Sequence, residues 1–438
     1  MLNGIWLGLV LGAVVYAAWS GQMQAVTDQM YASAQDAVTL VIKLVGIMAF
    51  MLGVMRVARD GGMLRWIARW LAPVLRRLFP EVPPDHPAMS AMVMNFASNI
   101  FGLGNAATPF GLKAMAELDK LNPVKGVASN PMVLFLAINT SAITLLPPTG
   151  TVGVRAAAGS ADPFAIWIPT LIATICSTLG AVTTVYLLQG RKRFAARPLA
   201  DAGAEGPAEG ETLATPDEAE VLGREVPPMG WVRKSLIVVF LVAVAIPLVV
   251  EAQRLLAGQS FFDMVEALAK GWLFPLLVVG LLLVGVAGRV PIYESVVAGA
   301  REGLEVAVRI VPYLVAILVA VGMFRASGAL DLLIGGLDPL TSWIGIPGEV
   351  LPMALLRPLS GSGAFGVMAE ILETYGPDSF IGMLASTLQG STETTFYVLT
   401  LYCGAAGVRD VRHALAACLT GDLCGLLGAT AACHLFFG

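Results

Sequence analysis

The chain has 438 residues, 57% of them hydrophobic and 13% charged, with a formal net charge of −4 and a mean hydropathy of +0.77. A water-soluble domain carries roughly a quarter charged residues to cover its surface, so this composition excludes an ordinary soluble protein and indicates lipid as the surrounding solvent. The mild acidity offers nothing to a nucleic acid.

The cysteines (Cys176, Cys403, Cys418, Cys424 and Cys433) are odd in number and form no CxxC pair, which argues against a disulfide framework or a standard zinc site. His86, His413 and His434 are too scattered for a metal cluster, and Cys433-His434, at the end of an apolar run, reads as packing. No cofactor is expected. No Lys or Arg precedes the first apolar run, so the expectation there is a retained helix, not a cleaved signal peptide.

A spanning helix needs roughly 20 apolar residues. In chain order the clear candidates are 3–19, 38–56, 163–189, 235–250, 271–288, 305–324 and 411–437. Five further apolar stretches, 88–118, 127–147, 330–346, 350–372 and 380–402, are interrupted by Gly, Pro, Asn, Ser or charged residues and predict broken or re-entrant segments. Residues 191–230 are rich in Ala, Gly, Pro and Glu, have almost no bulky apolar residue, and read as a flexible linker between halves 1–190 and 231–438.

The halves share ordered matches: Gly53-Val54-Met55-Arg56 with Gly322-Met323-Phe324-Arg325, Met115-Ala116-Glu117 with Met368-Ala369-Glu370, and Gly153-Val154-Arg155 with Gly407-Val408-Arg409. Several matches in one order indicate duplication. Arg56, Arg59, Arg65, Arg69, Arg76 and Arg77 crowd one loop, whereas the corresponding stretch of the second half keeps only Arg325. Lys and Arg favour the cytoplasmic side, so the repeats are expected to cross in opposite senses, with the linker cytoplasmic. The Arg-rich face reads as a topology signal against anionic headgroups, so membrane lipids are expected partners. The fold expected is all-α and polytopic, with two inverted-topology repeats, a transporter architecture.

Three stretches are candidate sites. In the first, Asn95 and Asn99 lie on one helix face, and Gly102, Gly104 and Pro109 interrupt the helix beside Asn105, Thr108 and Lys113. Close packing explains the glycines but not the polar residues. In the second, Arg357, Ser360, Ser362 and Glu370 flank Gly361 and Gly363; the two ionisable groups are either functional or paired, with each other or with another charge. In the third, Gln389, Ser391, Thr392 and Glu393 form a dense polar run whose counterpart is Asn139 and Ser141. A water-filled cavity or helix–helix hydrogen bonds also account for such a run; Glu393 is the best candidate for a cation, proton or amine. Nucleophile elbow, Walker A, HExxH and Rossmann patterns are absent, so no enzyme is expected.

At these residues NFASNIFGLGNAATPFGLKAMAEL (95–118) resembles spore maturation protein A, and RPLSGSGAFGVMAEIL (357–372) with the following run through Asp410 resembles spore maturation protein B. The resemblance implies a natural fusion of the two, carrying nucleoside-recognition or gate domains of the kind found in concentrative nucleoside transporters and in the membrane part of ferrous-iron transport protein B. It implies gate-domain repeats whose broken helices form the gate. Iron-transporter gates rely on a Cys where this chain has Asn105 or Ser362, so ferrous iron is not the expected cargo.

Two functions remain open. One is a transporter or permease for a small polar or charged solute (nucleoside-like, amino acid or organic acid) with a coupling proton or sodium ion, placed in a bacterial inner membrane. The other is a non-transporting scaffold for envelope or spore-maturation machinery. A homo-oligomer is compatible with both.

Overall fold

A computed structural model of the chain describes residues 2–100, 104–141, 143–195, 230–258, 261–332, 335–336 and 344–438. The regular elements among these residues are helices, and the one β-type pairing is a bridge between Val127 and Asp410. The linker expected at 191–230 begins with a short 3-10 turn, Lys192–Phe194; residues 196–229, and most of the apolar stretch 330–346, lie outside the described residues.

The first half runs α1 (Leu2–Ser20), α2 (Met23–Asp60), α3 (Met63–Leu78), α4 (Pro87–Ile100), α5 (Gly104–Leu121), α6 (Asn130–Thr140), α7 (Thr149–Ala157) and α8 (Trp167–Gln189). The second runs α9 (Trp231–Gly258), α10 (Phe261–Ala287), α11 (Ile292–Ala326), α12 (Leu351–Leu356), α13 (Gly361–Tyr375), α14 (Phe380–Ser391), α15 (Thr395–Ala405) and α16 (Ala414–Phe437). The orders correspond. In each half a long helix precedes two interrupted pairs, and an unbroken apolar helix closes the series. Among the described residues four helices are long and apolar enough to cross a membrane: α2, α8, most of α9, and α16.

The polar stretch 20–37, expected as a loop, belongs mostly to α2. It has no proline from Met23 to Asp60, and the helix runs unbroken for 38 residues. At 1.5 Å per residue that is roughly 57 Å, well beyond a bilayer's hydrocarbon core, so part of α2 stands outside it. Helix α3 carries buried Leu64, Ile67 and Leu75, with Trp66 and Trp70 exposed among its arginines, the pattern of an interfacial anchor.

The interruptions have local causes. Ser129 caps α6, with Pro131 in its first turn. Ser360 accepts from the Gly363 N–H at 3.0 Å to start α13, and Ser379 accepts from Gly382 N–H at 3.0 Å to start α14. These caps satisfy donors that a helix start leaves open. Gly376, at φ 87°, ends α13 in a conformation that side-chain-bearing residues rarely adopt.

The chain divides into two compact units. One comprises Val45–Arg69 and Pro216–Val306. Within it α2 meets α10 and α11 through small residues: a Cβ on Gly303 would lie 2.7 Å from Ala49 Cα, and one on Gly288 2.6 Å from Gly61 Cα. The other comprises Met1–Leu44, Trp70–Thr215 and Ala307–Gly438, and holds all the candidate site residues. Its centre is the contact of α8 with α16, where a Cβ on Gly180 would strike Cys424 and one on Gly428 would strike Cys176. Only glycine allows backbones this close.

Candidate functional site

Two interrupted helix pairs meet beside α8 and α16. In the second half, α14 ends at Ser391, Thr392 and Thr394 are extended, and α15 starts at Thr395. In the first half, α6 ends at Thr140. The Glu393 N–H, freed by the interruption, donates to the Thr140 carbonyl at 2.8 Å. Backbone unwound inside a membrane has to be satisfied by protein, water or ligand; here each interruption partly satisfies the other.

Arg357 braces the same point. It lies between α12 and α13 and is 8% exposed. Its guanidinium donates to the Thr392 carbonyl and, at 3.2 Å, to the Thr394 hydroxyl. Its Nε finds no hydrogen-bond partner among the described residues. Gln389 Nε2 donates to the Gly361 carbonyl at 3.5 Å, joining α14 to the start of α13, while its Oε1 is buried without a partner. Ser360 and Ser362 sit with their hydroxyls 3.4 Å apart. Ser391 donates to Leu388 O at 2.9 Å, an internal helix bond.

The asparagines form the first half's share. Asn99 Nδ2 donates to Asn139 Oδ1 at 3.0 Å, and Asn139 Nδ2 donates to Phe135 O at 2.9 Å. Asn95, fully buried, donates to Ala107 O at 2.8 Å and to Tyr402 Oη at 3.4 Å, leaving its Oδ1 unpartnered among the described residues. Behind it Phe79, Phe96, Phe135 and Tyr402 form a ladder of rings with centroids 5.3–6.3 Å apart. Ser141 donates to Ala137 O at 2.7 Å, and its own carbonyl accepts from Thr178. Thr108 bonds Tyr402, and Lys113 is half-buried further along α5. Asn105 is helical in backbone, but its side chain lies outside the described residues.

Two candidate groups stand apart from the crossing's side-chain network. Arg357 and Glu370 do not pair with each other: Glu370, more than two turns into α13, stands 3.4 Å from Arg325 and away from the interruption. Glu393 is exposed in side chain, and it is its backbone that joins the crossing. Three partners were missed from sequence. Tyr402 receives Asn95; Thr395, fully buried, donates to Asp422 Oδ2 at 2.7 Å; and α8 presents buried Thr170 and Ser177, whose hydroxyls are unpartnered among the described residues. A signal existed for Asp422: it is the single carboxylate of the apolar helix α16.

Comparison with known proteins follows this geometry. The Gate family model, described as nucleoside recognition, matches residues 41–188 and 307–409, more than half of the chain and including both interrupted pairs. The chain belongs to the Gate family. It is 50% identical over 166 residues to spore maturation protein B of Bacillus subtilis (strain 168), covering 38% of this chain and 93% of that protein. It is 42% identical over 182 residues to spore maturation protein A of the same organism, covering 42% of this chain and 92% of that protein. This Gate protein is thus a fusion of an A-like and a B-like part, and a membrane protein. No solved structure matches it.

Proposed function

We propose that this Gate protein is a transporter or permease of a bacterial inner membrane, without enzymatic activity, passing a small polar or charged solute through the crossing of its two interrupted helix pairs. One observation carries the reading. Around the Glu393–Thr140 bond, the buried atoms Arg357 Nε, Gln389 Oε1 and Asn95 Oδ1 and the hydroxyls of Thr170 and Ser177 have no partner among the described residues. Buried polar groups are ordinarily satisfied, and a set left open on both sides of unwound backbone suits a partner that comes and goes. The guanidinium of Arg357 favours a solute with a carboxylate or phosphate, and the family's description adds nucleoside-like compounds as a class to test.

The test is uptake by vesicles containing the purified full-length protein, offered labelled nucleosides, amino acids and organic acids in turn. Uptake of at least one class is expected. It should fall about tenfold or more in Arg357→Ala, the size expected for losing a charge-assisted hydrogen bond.

The scaffold reading draws on a different observation, the bonding of site groups to one another, as in Asn99–Asn139 and Asn95–Ala107. Absence of uptake for every class, with envelope enzymes co-purifying irrespective of Arg357→Ala, would favour it.

A further inference from the structure

Asp422 lies next to the crossing without belonging to its hydrogen-bond network. It lies in the first half of α16, and among the described residues its one hydrogen bond comes from the Thr395 hydroxyl at 2.7 Å. Its other oxygen, Oδ1, is buried and has no hydrogen-bond partner among the described residues. The charged or titratable groups about it come from several elements. Arg357, at the α12–α13 turn, acts on it electrostatically without forming an ion pair, Glu393 at the α14–α15 interruption acts on the same guanidinium, and Cys418 stands one turn earlier on α16. The face of α8 that packs here brings the uncharged Ser177 and the thiol of Cys176, against Gly425 and Gly428.

An ionised carboxylate inside a membrane needs a countercharge or several donors. One hydroxyl does not meet that need, and among the described residues the guanidinium of Arg357 bonds Thr392 O and Thr394 Oγ1 and forms no ion pair with Asp422. A neutral carboxylic acid, by contrast, tolerates the single bond to Thr395. The guanidinium that braces the unwound backbone of the interruption is thus also the charge on which an ionised Asp422 acts.

We propose that Asp422 is a proton-binding site coupled to the second interruption. Protonated, it rests on Thr395 and leaves Arg357 to brace Thr392 and Thr394. Ionised, it draws the guanidinium away and frees the unwound segment. The proton is taken from water and returned to water, and no other bond is made or broken. Its role as a coupling site rests on the transport reading; the existence of the site does not.

The experiment uses the full-length protein in lipid nanodiscs. Infrared difference spectra are recorded as pH is raised, following the C=O stretch of protonated carboxyl groups. A band that vanishes with rising pH is expected in the wild type and in Glu370→Gln and Glu393→Gln, and is expected to be missing in Asp422→Asn. Thr395→Val, which keeps the acid and removes its hydrogen bond, should move the band to higher frequency, and it serves if Asp422→Asn fails to fold. In a cysteine-free background carrying Thr392→Cys, maleimide labelling, divided by the rate for the same protein unfolded at each pH to remove the thiolate's own pH dependence, should quicken severalfold as pH rises, and Asp422→Asn should abolish that excess. A band that survives Asp422→Asn, no titrating band at all, or labelling that rises with pH no more than in the unfolded protein would overturn the proposal. Uptake is not a readout here: a titrating Asp422 without uptake of any solute would sink the transport reading alone, and uptake without the band would sink the proton site alone.

Discussion

Arg155 is fully buried, and its guanidinium donates to the carbonyls of Pro163 at 3.2 Å and Pro377 at 2.6 Å and to Ser160 and Asp378, both at 3.0 Å. The sequence repeat pairs it with Arg409, but the residue that mirrors its contacts is Arg412. Arg412 donates to Ala128 O at 3.0 Å and to Asn130 Oδ1 at 2.9 Å. Arg155 stands in the last turn of α7 and Arg412 just beyond α15, and each grips the residues that open the corresponding pair in the other half. Because the Asp378 side chain is 40% exposed, the Coulomb part is screened, and the part-buried hydrogen bonds to backbone carbonyls supply most of the effect. Arg155→Ala is expected to cost roughly 3 kcal/mol, read as an earlier thermal unfolding in detergent. Arg155→Lys should recover only part, since an ammonium cannot span acceptors placed for a planar fork.

The interruptions work as elements because glycine lets their neighbours come close. A Cβ on Gly425 of α16 would lie 2.8 Å from Thr392 Cγ2 and 3.3 Å from Ser177 Cβ, whereas one on Gly404 of α15 meets nothing within 4 Å. Gly425→Ala is therefore expected to push Thr392 out of place and cost about 1–3 kcal/mol, the usual range for overpacking. Gly404→Ala should be neutral or slightly stabilising, since it only removes unfolded-chain freedom. Thermal melts of the two variants in one detergent check the contrast; equal effects would mean that the α16–Thr392 contact is not tight.

At the scale of the molecule, the two relatives are separate proteins in Bacillus subtilis, each matched over more than nine tenths of its own length. The bonds from Arg155 to Pro377 and from Arg412 to Asn130, with the long contact of α8 and α16, join the two parts irrespective of the linker. Residues 1–210 and 211–438, co-expressed as two chains, are expected to co-purify from membranes. Arg155→Ala with Arg412→Ala should reduce the recovery of one with the other. If the intact pair did not associate, the linker would have to be a structural element.

The sequence by itself determined the membrane setting, the helical class and the places where helices stop. Apolar length, Ser caps and Gly or Pro breaks act over a few residues and leave their mark in neighbouring positions. The duplicated order was legible for the same reason, through short local matches. Only the tertiary structure decided which polar groups meet. Glu370 and Arg357 are 13 positions apart and were open to a functional role or to pairing, with each other or with another half's charge; Glu370 stands by Arg325 while Arg357 reaches across to Thr392 and Thr394. Asp422 reads as one blemish in an apolar helix until α15 brings Thr395 to it. Such pairings follow from how helices far apart in the chain pack side by side, where contact depends on helix rotation and backbone separation rather than on spacing along the sequence.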